Sequence, residues 1–108
     1  MYEYKATVTD VYDGDTITID IDLGLGVWVK GQKIRLYGIN TPELKGDERE
    51  EGIMVRDYVR KLIGGQEVII QTYKDRKGKY GRWLGVVYVG ELGNLNEHLL
   101  DMGYAKVY

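Results

Sequence analysis

The segment Thr16-Ile17-Thr18-Ile19-Asp20-Ile21-Asp22-Leu23 alternates strictly between polar and apolar residues. Ile17, Ile19, Ile21 and Leu23 fall on one face, Thr18, Asp20 and Asp22 on the other. A period of two with β-branched apolar residues predicts a strand buried on one side. Upstream, Tyr4–Tyr12 sets Ala6 and Val8 among polar neighbours and predicts a preceding strand. Asp13-Gly14-Asp15 supplies a turn between the two. Downstream, Gly24–Gly31 is expected to be a glycine-punctuated connection containing Val27, Trp28 and Val29. A third strand, Gln32–Ile39, is expected to follow and to end at Asn40-Thr41-Pro42.

The period changes over Glu48–Ile63, where Val55, Tyr58, Val59 and Leu62 recur at helical spacing. Glu48, Glu50 and Glu51 near the start and Arg60 and Lys61 near the end suit the helix dipole, and Gly64-Gly65 provides a stop. Gln66–Tyr73 and Trp83–Val89 predict two more strands, separated by a basic loop. Leu95–Met102 predicts a short helix, capped by Asn94 or Asn96 and ended by Gly103. The expected order is βββαββα. Such a β-rich α+β chain suits a five-stranded closed barrel of the OB type with two helices.

With 108 residues the chain is expected to form one domain, 1–108, with a core that needs no staples. The absence of cysteine removes disulfides, thiolate metal sites and thiol nucleophiles. A hydrophobic content of 44% argues against disorder. No apolar run approaches the ~18 residues of a membrane helix. Met1-Tyr2-Glu3-Tyr4 lacks the basic and apolar regions of a secretory signal. A cytoplasmic monomer without a membrane partner is therefore expected. A net charge of −2 gives no overall field for polyanions, so a nucleic-acid partner would need a local cluster of cations. Lys74–Arg82 is such a cluster, with five cations against Asp75 alone. Ten tyrosines, two tryptophans and no phenylalanine suit strands first and base stacking second.

Asp15 and Asn40 fall at strand ends and carry hard oxygen donors, which suit Ca²⁺ or Mg²⁺ rather than zinc or copper. Glu43 adds a carboxylate able to orient or deprotonate water. Arg35 and Arg82 are guanidinium forks shaped for phosphate oxygens. Together these groups form a usable set for phosphodiester hydrolysis. Alternation between Ile34 and Leu36 turns Arg35 away from the core. Taken alone, Asp-Gly-Asp is ordinary turn chemistry, and its surroundings lack the EF-hand spacing. Gly26 and Gly31 mimic a phosphate loop, but Gln32-Lys33 stands where Lys followed by Ser or Thr is required. His98, the single histidine, has no evident catalytic partner and is expected on the surface or at the core edge.

The segments DGDT (Asp13–Thr16), RLYGINTPE (Arg35–Glu43), KYGR (Lys79–Arg82) and NEHLLDMGYAKV (Asn96–Val107) resemble the staphylococcal nuclease family, in order and over nearly the whole chain. The resemblance implies an OB-fold barrel with helices and a Ca²⁺-dependent nuclease that acts on DNA and RNA and leaves 3′-phosphate ends. It implies Asp15 as a calcium ligand and Thr41 as a ligand through its backbone carbonyl, with Asp13 an acidic residue close to the metal. Arg35 and Arg82 match the phosphate-binding arginines and Glu43 the catalytic glutamate. Lys79 and Tyr80 match contacts to a terminal phosphate of bound nucleotide. Asn40 departs from the family's pattern, standing where a calcium-binding aspartate is found. It keeps an oxygen donor but removes one charge, so weaker Ca²⁺ binding without substrate is expected. The stretch between Thr16 and Arg35 is longer than the pattern, around Gly24–Gly31. The alternative function is a catalytically weak or inactive OB-fold module that binds nucleic acid or protein.

Overall fold

The computed structural model describes residues 2–74 and 82–108. The strands β1 (Tyr2–Asp13), β2 (Thr16–Asp22) and β3 (Trp28–Leu36) form an antiparallel meander. The short β4 (Ile39–Asn40) and a 3₁₀ turn then lead into helix α1 (Arg49–Ile63). After it come β5 (Glu67–Lys74), β6 (Trp83–Val89), the short β7 (Gly93–Asn94), helix α2 (Leu95–Asp101) and the short β8 (Lys106–Val107).

The sheet runs β3-β2-β1-β5-β6 and closes by a parallel pairing of β3 with β6. Closure sets Ile34 beside Trp83, Arg35 beside Leu84 and Leu36 beside Gly85. At that seam a Cβ on Gly85 would stand 2.8 Å from both Ile34 Cγ2 and Ile70 Cδ1, so only glycine lets the strands meet there. The result is the five-stranded OB-type barrel with two helices, in the expected order.

The inner faces bury Val8, Ile17, Ile19, Ile34, Leu36, Ile70 and Val87. Helix α1 covers one end through Val55, Val59 and Ile63, while Tyr58 and Leu62 of the anticipated stripe pack at its margin. Arg60 Nε donates to the Val11 carbonyl at 3.0 Å and Gly65 N–H to that of Val8 at 3.0 Å, anchoring α1 and its stop to β1. Leu95 and Leu99 of α2 complete the core. Both asparagines proposed as caps are used, for different purposes. Asn94 Oδ1 accepts the Glu97 N–H at 3.0 Å and caps α2. Asn96 is buried and bonds to β6 and to the carbonyl of Tyr37.

Three boundaries of β2 and β3 differ from the sequence expectation. Trp28–Gly31 is strand, not connection, because Leu23 N–H bonds to Val27 O at 2.9 Å and Val27 N–H to Gly24 O at 2.9 Å. Those bonds close the hairpin in a tight tip and deliver Trp28 opposite Asp22. Leu23 accordingly lies beyond the end of β2 and is 48% exposed, not part of the buried face. The third strand also stops at Leu36; Gly38, at φ +77°, turns the chain, and Ile39-Asn40 pairs separately with Lys106-Val107. Among the described residues no helix is long and apolar enough to cross a membrane.

Candidate active site

The turn after β1 is fixed from several sides. Asp13 Oδ1 accepts the Asp15 N–H at 3.1 Å, and the Asp15 carbonyl accepts the Leu36 N–H at 2.8 Å. The Asp15 side chain is buried and its Oδ2 accepts the Thr41 N–H at 3.0 Å, across 26 residues of chain. Gly14 makes this contact possible: a Cβ there would stand 2.7 Å from both Thr41 Oγ1 and Val55 Cγ1. Irregularities in the β1–β2 ladder at Val8/Asp10 and Val11/Asp13 re-aim the end of β1 toward this turn.

Ile34 and Leu36 are wholly buried, and strand alternation sends Arg35 between them into a cleft of about 970 Å³. There its guanidinium donates to the carbonyls of Leu36 (3.2 Å) and Ile39 (3.0 Å) and to Asn40 Oδ1. It lies 3.7 Å from Asp15 Oδ2 and under the Tyr108 ring, 4.8 Å from its centroid. Glu43 lines the same cleft with an exposed side chain. Its backbone N–H donates to Glu48 Oε2 at 3.0 Å. Arg82 also lines the cleft, and its Nε is buried with no hydrogen-bond partner among the described residues. A buried guanidinium N–H without an acceptor is a costly arrangement that a phosphate oxygen would relieve.

Asp15, Asn40, Thr41, Arg35, Glu43 and Arg82 thus share one concave surface although scattered along the chain. Lys79 and Tyr80 lie outside the described residues. The cleft also contains Lys33, Glu48, Glu51 and Lys106, which sequence reading passed over as site residues. Lys33 was within reach of the alternation that placed Arg35, since both point to the same face of β3. Glu48 and Glu51 suited the helix dipole so well that a second role carried no separate signal. His98 sits at the core edge, as expected, with Nε2 2.6 Å from the Tyr58 hydroxyl.

The oxygen donors can be tested as cation ligands. Asp13, Asp15, Asn40 and the Thr41 carbonyl are all hard donors, the set a Ca²⁺ or Mg²⁺ ion prefers. Thr41 Oγ1 is buried and unpartnered among the described residues. Burial, with the neighbouring Asp15 second, pushes the Asp13 carboxyl up to about 6. A divalent cation would reverse that penalty. Among the described residues no group of three or more acidic or histidine side chains gathers as a metal cluster. The residues fit a hard cation, held with little ligand charge.

Residues 33–108 match the family model described as staphylococcal nuclease homologue. The chain belongs to this family. It is 32% identical to a thermonuclease of Staphylococcus hyicus over 96% of its own length and 59% of the relative's. It is 38% identical to an uncharacterized endonuclease of Escherichia coli O157:H7, covering 94% of this chain and 59% of that protein. An uncharacterized protein of Methanocaldococcus jannaschii, MJ1439, is 33% identical over 97% of the chain and 59% of its own length. This family member therefore spans less than two thirds of those relatives.

Proposed function

We propose that this staphylococcal nuclease homologue is a Ca²⁺-dependent phosphodiesterase that hydrolyses DNA and RNA with low sequence specificity and leaves 3′-phosphate ends. The observation that carries the reading is the convergence of two arginines, the Glu43 carboxylate and a set of hard oxygens on one cleft. Names of relatives support it: thermonuclease and endonuclease.

Asp15, Asn40 Oδ1 and the Thr41 carbonyl would hold the ion, with Asp13 beside them. When bound, Ca²⁺ supplies positive charge against the phosphate and a position for water. Glu43, exposed to the cleft, takes the proton of the attacking water. The water oxygen bonds to phosphorus, the bond to the 5′-oxygen breaks, and that oxygen leaves as a hydroxyl with a proton from solvent. Arg82 Nε, lacking an acceptor among the described residues, binds a non-bridging oxygen as charge accumulates on it. Arg35 is held in place by the Leu36 and Ile39 carbonyls and presents its remaining face to the phosphate. Lys79 and Tyr80 would contact a terminal phosphate. Contacts of this kind go to the backbone of the nucleic acid, hence the low sequence specificity.

One observation favours the second reading, a module that binds without cutting. Arg35 already occupies Asn40 Oδ1, a would-be ligand. Cleavage of single-stranded DNA with Ca²⁺, and again with chelator, separates the two. The nuclease reading expects cleavage that chelator abolishes. It also expects Glu43→Gln and Arg82→Ala each to lower turnover by about 10²–10³ with the fold intact. Undiminished cleavage in chelator removes the metal from the mechanism, and no cleavage under either condition leaves the binding module.

A further inference from the structure

The β2–β3 hairpin continues past the cleft and carries charged and aromatic surface for which the catalytic reading has no use. Directly opposed residues on antiparallel strands share a face. Thr16 opposes Arg35, Thr18 opposes Lys33 and Asp22 opposes Trp28. Thr16, Thr18, Lys33 and Arg35 line the cleft, so Trp28 stands on the outward continuation of that same face. Lys30 lies between, its Nζ 5.1 Å over the Trp28 ring and 3.4 Å from Asp20 Oδ2. From Arg35 to Trp28 the strand covers about 20 Å, six paired steps of ~3.3 Å with one bulge among them.

The hairpin's own acidic residues on this face are engaged within it, while Asp10 of β1, opposite Thr18, lies at the cleft end of the face. Asp20 Oδ1 accepts the Gly31 N–H at 2.9 Å, and Asp22 Oδ1 accepts the Gly24 N–H at 2.8 Å. The Lys33 side chain, in contrast, has no hydrogen bond or ion pair among the described residues, and it lines the cleft. Trp28 is 43% exposed despite the lysine above it. At the tip Leu25 is fully exposed in a left-handed conformation (φ +57°), between Gly24 and Gly26, which are also left-handed. A non-glycine residue held there costs about 1 kcal/mol or more.

We propose that the outer face of the β2–β3 hairpin is a track for single-stranded nucleic acid running out of the cleft, with Lys33 and Lys30 against successive phosphates and Trp28 as a base-stacking platform. The ligand class rests on the nuclease reading. A sheet face with interleaved cations and an exposed indole matches single-strand binding by stacking, which tolerates any sequence. A track of this length makes affinity depend on strand length, because a dinucleotide fills the cleft and leaves Trp28 untouched.

The test is run in chelator, so binding is separated from cleavage. Trp83→Phe leaves Trp28 as the only indole of the chain's two tryptophans. In that protein dodecathymidylate should quench Trp28 emission and dithymidylate should not. Trp28→Ala should weaken dodecathymidylate binding roughly five- to a hundredfold, read by fluorescence anisotropy. Trp28→Phe, which keeps a ring, should restore most of the affinity and guards against a folding defect in the alanine variant. Unchanged dodecathymidylate affinity in Trp28→Ala overturns the track. So does quenching by phosphatidylglycerol vesicles but not by the oligonucleotide, or burial of Trp28 by self-association. Cleavage with Ca²⁺ in a protein indifferent to Trp28 overturns the track alone. Trp28-dependent binding without any cleavage overturns the nuclease reading and upholds the track.

Discussion

Gly52 of α1 lies directly against the carbonyl of Glu43: a Cβ at position 52 would stand 2.2 Å from that oxygen and 2.9 Å from the Pro42 carbonyl. The contact presses the segment carrying Glu43 onto the helix, and the carboxylate of Glu48, one turn before Gly52, accepts the Glu43 N–H. In an exposed helix Gly52→Ala would be stabilising by about 1 kcal/mol through helix propensity. Here the methyl has nowhere to go except by displacing the segment. Gly52→Ala should therefore destabilise the protein by about 1–3 kcal/mol in urea melts. It should also lower kcat on single-stranded DNA with little change in KM, since the carboxylate moves while the phosphate contacts stay. A stabilised variant with full turnover would show that the close approach is not maintained in solution.

Asn40 is the position at which charge can be added to the oxygen cluster most directly. Asn40→Asp places a full charge on the group that Arg35 already contacts and raises the ligand charge available to a cation. Calcium affinity follows ligand charge, so Asn40→Asp should bind Ca²⁺ about tenfold more tightly without nucleic acid, as isothermal calorimetry would read. Equal affinities would mean that residue 40 does not reach the ion. The same variant should cut faster at limiting Ca²⁺ and no faster at saturation.

How far the sequence reveals this molecule depends on the type of signal. The barrel was legible because strict alternation in Thr16–Asp22 and the 3.6-period stripe of α1 each leave a single way to bury their apolar faces. That Arg35 points away from the core followed from its buried neighbours, but alternation does not distinguish a cleft from open solvent. Convergence of Asp15 with Thr41 was readable only through the family resemblance and not from pattern, since it depends on one bond spanning 26 residues and on the absence of a side chain at Gly14. Nor could the glycines around Trp28 reveal a strand, because the bonds that close the tip at Leu23 and Val27 are set by φ values rather than by residue pattern. Lys79 and Tyr80, named on resemblance, fall outside the described residues.

Asp13 gives the metal-free protein a pH dependence of definite sign. Burial and the adjacent Asp15 push its carboxyl up to about 6, from an ordinary value of 3.8. Between those values the folded protein holds a proton that the unfolded chain has released. The unfolded state therefore gains on the folded one as pH rises through this window, and stability from this group falls before levelling off above about 6. Asp13→Asn should remove that slope, giving a higher melting temperature than the parent at pH 7 in chelator and a nearly equal one at pH 4. Added Ca²⁺ should shrink the difference at pH 7 by stabilising the carboxylate. A parent whose melting temperature is flat across the window would contradict the burial of this carboxyl.

Asn96 tests whether the second helix is held by its cap or by its underside. Its Oδ1 accepts the Val87 N–H at 3.2 Å, and its Nδ2 donates to the carbonyls of Tyr37 (2.9 Å) and Gly85 (3.0 Å). One buried amide thus joins α2 to β6 and to the turn that follows β3, beside the seam at which the barrel closes. Asn96→Ala takes this partner from the Val87 N–H and the Tyr37 carbonyl, while the Gly85 carbonyl still accepts the Tyr37 N–H at 2.8 Å, at a cost of about 2–3 kcal/mol. For a domain of this size that corresponds to a fall of about 10–20 °C in Tm. Asn94 makes the N-cap bond to Glu97, and Asn94→Ala should cost only about 1 kcal/mol. Comparing the two melting temperatures decides the matter. If Asn94→Ala proves the costlier, α2 is stabilised from its end, and the buried amide contributes little to closing the barrel.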